Sequence, residues 1–197
     1  MDNPKTSQLS GPQKASLQQP KPTVTTKIPN IPTLRLILLI TSLCIGLFLS
    51  ILDTSIVATA LYSISTSFSA PHTSTWVALS YTLSYLSFAV PFANLSDVIG
   101  RRAAWLLALT IFFAFSLACG FASTLMQLIG FRAVQGVGGS GLYSLTMIVL
   151  PEVVSEGNRK WLGAVVGVVL TVAGIMGPVA GGLITRFASW RWVFWIK

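Results

Sequence analysis

The sequence predicts an all-α transmembrane protein with five complete spans and the start of a sixth. Of its 197 residues, 53% are hydrophobic and 9% charged, whereas about a quarter of an ordinary globular chain is charged. The apolar residues gather in runs close to the roughly 20 residues a helix needs to cross a bilayer. Lys and Arg fall mostly in the tail and between those runs. A water-soluble fold of this composition would expose apolar patches large enough to aggregate.

Residues 1–32 are rich in Pro, Ser, Thr, Gln and Lys and are expected to form a disordered cytoplasmic tail, because almost nothing there builds a core. They are not a signal peptide, since the apolar run that follows exceeds the length of an h-region. Residues 33–197 are expected to form the transmembrane bundle. The first span runs from Leu34 to Leu52 and on through Asp53 to Leu61. Trp76 to Ala93 forms the second, with Pro91 near its end. Ala103 to Phe121 is the third, and Leu125 to Leu150 the fourth, carrying Arg132 and Gln135 and closed by Pro151. Trp161 to Ile184 is the glycine-rich fifth. Trp190 to Ile196 opens a sixth apolar segment, which Lys197 follows.

Basic residues set the orientation. Lys5, Lys14, Lys21, Lys27, Arg35, Arg101, Arg102, Arg159 and Lys160 share one side, against Arg186 and Arg191 on the other. The excess assigns the N-terminus to the cytoplasm. The net charge of +8 thus reads as topology. Nucleic-acid binding would need the basic residues clustered on one face. Cys44 and Cys119 lie inside apolar runs and read as packing residues. His72, in a loop without a second ligand nearby, gives no metal site.

Ionisable groups inside a membrane cost ~2.5–3.5 kcal/mol each on insertion scales and mark functional sites by default. Asp53 and Arg132 are the two. Asp53 lies beyond the middle of the first span by ~9 Å, and Arg132 lies ~8 Å from the middle of the fourth, toward the same side. Equal depth lets them pair directly, or through Gln135 or water. The pair reads either as structural, making burial tolerable, or as a proton-responsive pair facing a wet cavity.

Asp97, Gly100, Arg101 and Arg102 flank a very short cytoplasmic turn that favours glycine. Read alone, this is a capped hairpin on the positive side. The arginines complement the end of the second helix and Asp97 the start of the third. Gly136 and Gly139 share a helical stripe with Arg132, and Gly163, Gly167, Thr171, Gly174, Pro178 and Gly181 recur down the fifth span. Small residues so spaced let backbones approach closely. Generic helix packing explains either stripe alone.

From about residue 35 to the last residue, these features resemble, in order, the motifs of the major facilitator superfamily, in particular its fourteen-span drug:proton antiporter branch. Leu52 to Leu61 looks like the first-span motif, Asn94 to Arg102 the signature loop, and Arg132 to Gly141 the fourth-span motif. Gly174 to Gly182 is similar to the antiporter motif of span five, and Trp190 to Ile196 to the lead-in of span six. Two positions depart from the signature loop: Asn94 replaces its first glycine, and Val98 its usual basic residue.

The resemblance implies a major facilitator fold of which this chain is the N-terminal half only. It implies proton-coupled efflux of small organic compounds, powered by the proton gradient with no cofactor. Asp53, Arg132 and Gln135 would serve proton coupling and the cavity. Asp97, Gly100, Arg101 and Arg102 would form a cytoplasmic latch. Gly174, Gly177, Pro178, Gly181 and Gly182 would pack an interface between halves. The partners implied are the lipid bilayer, a small-molecule substrate and the missing C-terminal half, without which no complete pathway is expected. The location implied is the plasma membrane. Another reading is a non-transporting remnant or regulatory half that binds a full-length relative. An enzyme is not expected, because no paired carboxylates, His cluster, nucleophile constellation or phosphate loop is present. The sequon Asn94-Leu95-Ser96 falls on the cytoplasmic side and is expected to stay unmodified. Glycosidase treatment of the protein expressed in a eukaryotic cell should leave its gel mobility unchanged; a mobility shift lost in Asn94→Gln would reverse the assigned orientation.

Overall fold

The computed structural model describes residues 33–68, 71–154, 159–187 and 189–195. The expected tail, residues 1–32, lies outside them. Five long helices make up nearly all of the described chain: α1 (Thr33–Phe68), α2 (Pro71–Ile99), α3 (Arg101–Gly120), α4 (Leu125–Val153) and α5 (Arg159–Phe187). A short α6 (Trp192–Trp195) follows. No strand occurs among the described residues. All five long helices are long and apolar enough to cross a membrane. In hydrocarbon, every backbone N–H and C=O must be satisfied within the segment, which a helix does by itself.

Helix ends differ from the apolar windows for identifiable reasons. α1 continues past Leu61 to Phe68, through a serine- and threonine-rich turn. The hydroxyls of Thr66 and Ser67 fold back onto the Ser63 carbonyl, each at 2.9 Å. Their hydroxyls find acceptors within the helix itself, so this polar turn stays helical although hydropathy does not register it. α2 begins at Pro71, since proline at a first helical position loses only an N–H that has no partner there. His72 therefore lies in the first turn of α2, not in a loop. Pro91 and Pro151 both sit inside helices that run on to Ile99 and Val153. Pro151 thus does not close α4. A proline forfeits one i→i−4 bond, and the turns beyond it retain theirs, with Val154 N–H still reaching the Leu150 carbonyl at 3.3 Å. α4 starts at a capping box: Thr124 Oγ1 accepts from Gln127 N–H at 3.3 Å, and Gln127 Oε1 accepts from Thr124 N–H at 3.4 Å.

α4 is the central helix. It packs against α1, α2 and α3, while α5 lies mainly along α1, and α6 mainly against α3. Its glycines make this possible. A Cβ on Gly138 would sit 2.6 Å from the Phe112 backbone nitrogen, and one on Gly136 would sit 2.5 Å from the Tyr81 carbonyl. Gly141 likewise abuts Ala108 and Phe92. The Gly136–Gly139 stripe faces α2, and the interleaved Gly138 and Gly141 bring α3 equally close. Three clusters fill the interior along the helix axes: one around Ile56, Val77, Leu128 and Phe194, a second around Tyr81, Phe112 and Leu142, and a third at Leu43, Val149 and Leu150.

On α5 the fully buried residues are Ala173, Gly177 and Gly181. A Cβ on Gly177 or Gly181 would strike Ser55 or Thr59 of α1, whereas Gly163, Gly167, Gly174 and Gly182 meet nothing within 4 Å. The small-residue stripe expected from Gly163 down is therefore not continuous. Within it, Gly177 and Gly181, toward the C-terminal end of α5, contact α1, and the other four glycines lie in open space.

Gly138→Ala should lower the unfolding free energy by about 1–3 kcal/mol, because Cβ meets backbone that cannot yield. Gly163→Ala should be neutral or gain up to ~1 kcal/mol of helix propensity. Thermal unfolding of the two variants in detergent checks the contrast.

Candidate functional site

Asp53 of α1 and Arg132 of α4 meet in the interior between the first two core clusters, 0% and 1% exposed. Arg132 Nη1 donates to Asp53 Oδ2 at 2.5 Å and to Gln135 Oε1 at 2.9 Å. Gln135 Nε2 donates to Asp53 Oδ1 at 3.2 Å. Gln135 stands three residues after Arg132, hence on the same helix face, and the three side chains close a ring of hydrogen bonds. Two charges withdrawn from water cost several kcal/mol each, which attraction repays only with good geometry and satisfied lone pairs. Here both carboxylate oxygens accept a bond, and the shorter one is charge-assisted.

The guanidinium is also held face-on. Its central carbon lies 4.2 Å from the Tyr81 ring centroid on α2 and 5.9 Å from that of Phe194 on α6, within the range of cation–π attraction. Cys119 of α3 directs its thiol to Gln135 Oε1 at 3.7 Å. Every helix around the pair except α5 thus places a side chain on it or on Gln135. Sequence reasoning misses Tyr81 and Cys119, because an aromatic or thiol inside an apolar run looks like packing. The available signal is Tyr81 and Tyr85 at i,i+4 spacing, which puts two phenols on one face of α2.

The second polar cluster lies at the α2–α3 turn. Gly100 alone connects the two helices, at φ +89°, a left-handed region that any Cβ would strain. The turn folds Arg101 back over α2, where it pairs with Asp97 at 2.7 Å and donates to Ser96 Oγ at 2.5 Å. Its other nitrogen reaches Glu152, at the end of α4, at 2.9 Å. Glu152 is a further residue that sequence reasoning misses, although it is one of only five acidic residues. Arg102, expected in the same latch, is exposed and has no ion-pair partner among the described residues. The Asp97 and Glu152 side chains are 62% and 46% exposed, so each pair contributes ~1 kcal/mol or less. Such a cluster can open and re-form at little cost.

Of the five residues expected at the span-five motif, Gly177 and Gly181 pack on α1, while Gly174, Pro178 and Gly182 lie on its exposed side. Val172, Ile175, Met176, Val179 and Leu183 are exposed beside them. Among the described residues, no three His, Cys, Asp or Glu side chains gather to hold a metal ion.

Comparison with known proteins agrees with this architecture. The profile of the Major Facilitator Superfamily matches residues 43–196. The MFS-type transporter FPY5 of Fusarium mangiferae is 40% identical over 83% of this chain, which corresponds to 27% of that protein. Efflux pump FUS6 of Gibberella moniliformis is 33% identical over 94% of this chain and 32% of its own length. The MFS-type efflux pump LUC4 of a Fusarium species is 36% identical over 76% of this chain and 27% of its own. The chain spans about a third or less of the length of these curated relatives. It is a multi-pass membrane segment, and it belongs to the Major Facilitator Superfamily.

Proposed function

We propose that the protein carrying this segment exports small organic compounds in exchange for protons, with Asp53 as the proton carrier. The observation that carries this reading is the Asp53–Arg132–Gln135 ring, fully buried with both carboxylate oxygens hydrogen-bonded. A proton on Asp53 removes the negative partner of a buried cation, and an uncompensated buried charge costs about 3–5 kcal/mol. That cost is large enough to shift a two-state conformational equilibrium by more than a hundredfold. Proton binding therefore favours whichever conformation gives Arg132 water or another acceptor. Deprotonation restores the pair and the conformation seen here. Cargo is coupled because it binds the two conformations unequally.

Three further observations support the reading. Two of the relatives are named efflux pumps. The Arg101 cluster ties the α2–α3 turn to the end of α4 through weak, exposed ion pairs, suited to a latch on the cytoplasmic side. The exposed apolar strip of α5 beside Gly174, Pro178 and Gly182 suits an interface with a second helical half. The excess of basic residues on the side of Arg101 and Arg102 supports a cytoplasmic N-terminus, and the plasma membrane is the location proposed.

Asp53→Asn and Arg132→Ala in the full-length protein should each abolish drug resistance conferred on a sensitised host, even when expression is adjusted so that membrane abundance matches wild type. Proton-gradient-driven efflux in inverted vesicles checks the same point. Wild-type efflux by Arg132→Ala at normal abundance would refute the coupling role.

A further inference from the structure

Among the described residues, Tyr81 Oη is the one buried side-chain oxygen or nitrogen that completes no well-formed hydrogen bond. An unsatisfied buried hydroxyl is destabilising, and packing alone would be better served there by phenylalanine. The hydroxyl lies against Gly139, where a Cβ would strike it and would also come within 3.4 Å of Ser50 Oγ. Ser50 is fully buried, one turn from Asp53 on α1, and donates to the Gly139 carbonyl at 3.3 Å. Its lone pairs can therefore still accept, and both Tyr81 and Tyr85 face it. On the far side, the Tyr81 ring stacks on Tyr85 at 5.8 Å between centroids, and Tyr85 lies 5.9 Å from Tyr143. Tyr85 and Tyr143 are half-buried, whereas Ser50 and Tyr81 are fully buried.

These hydroxyls share a direction. Ser50 precedes Asp53 on α1, Tyr85 follows Tyr81 on α2, and Tyr143 follows Arg132 on α4 by about three turns. Because α1 and α2, and likewise α1 and α4, run antiparallel in the order of the spans, each step leads toward the membrane side where α1 begins. Along these four residues exposure rises in the same direction, from the buried Ser50 and Tyr81 to the half-buried Tyr85 and Tyr143.

We infer that Ser50, Tyr81, Tyr85 and Tyr143 form a hydroxyl line through which Asp53 releases its proton toward the side of the Arg101 turn. The inference rests on Asp53 being the proton carrier and adds the route and its direction. A phenol both donates and accepts, so a proton arriving at a lone pair lets the O–H proton pass on to the next bridging water. Each phenol ends neutral, nothing is oxidised or reduced, and the net change is one proton moved from the Asp53 carboxyl to bulk water. The carboxylate left behind re-forms its pair with Arg132. The groups facing Asp53 are Arg132 and Gln135 from α4, Tyr81 from α2 and, through Gln135, Cys119 from α3. α5 and α6 bring Ala173 and Phe194 to the adjoining core, neither of which titrates.

The test is a pH jump on the purified full-length protein, following the infrared carboxyl band that disappears in Asp53→Asn. Tyr81→Phe keeps the ring over Arg132 and deletes only the unsatisfied hydroxyl. It should leave the band's equilibrium pH dependence unchanged and the melting temperature equal to or above wild type, and slow its relaxation by ~10²-fold, the low end for a positioned proton-transfer group. Tyr85→Phe should slow it in the same way. Relaxation at the wild-type rate in both variants would overturn the hydroxyl line while leaving Asp53 as carrier. The absence of any Asp53-dependent band would overturn the carrier reading and the line with it.

Discussion

A buried ion pair between the first and fourth helices sets the terms for the rest of this bundle. Neither Asp53 nor Arg132 is tolerable alone in hydrocarbon, so the two helices must meet at one depth and in one rotation. Both carboxylate oxygens are satisfied, one by Arg132 and one by Gln135, which fixes the register of α4 against α1. Close packing follows from that register. α4 can sit in the centre, with Arg132 sandwiched by Tyr81 and Phe194, only because Gly136, Gly138, Gly139 and Gly141 let α2 and α3 come within backbone contact. The pair specifies the arrangement, and dispersion across the glycine faces supplies the adhesion that lipid, itself apolar, cannot.

The same chemistry makes the arrangement conditional. A hydrophobic core of equal volume would hold the helices together in every protonation state. A carboxylate partner does so only while it is ionised. At the other polar cluster the logic is reversed: Arg101 bridges Asp97 and Glu152 in partly exposed positions, where water competes and the bonds are individually weak. A buried, charge-dependent pair inside and a weak, partly exposed cluster at the surface are the two polar fastenings of the described bundle.

Much of this was legible in the sequence because charges are so rare in it. Five spans could be read from hydropathy, and a carboxylate and a guanidinium at matching depth stood out against an apolar background. Gly100 announced a turn. What stayed hidden lay in residues whose types do not advertise a role. Glu152 follows a proline that looked like a helix end, so its reach to Arg101 depended on α4 continuing through Pro151. Tyr81 and Ser50 resembled ordinary packing residues, and only the tertiary contacts show one unsatisfied phenol beside a serine with spare lone pairs. On α5, residues spaced for one stripe turned out to be split: Gly177 and Gly181 touch α1, while Gly163, Gly167 and Gly174 face open space. Spacing along one helix fixes a face, but the tilt of its neighbour decides how far along that face contact extends.

The central claim is that the two buried charges depend on each other. A double-mutant cycle on the full-length protein, comparing the unfolding free energies of Asp53→Asn, Arg132→Gln and the combined variant, measures this directly. Each single change should cost about 3–5 kcal/mol by stranding the other group, and the combined change should cost less than either. Losses that simply add would contradict the account.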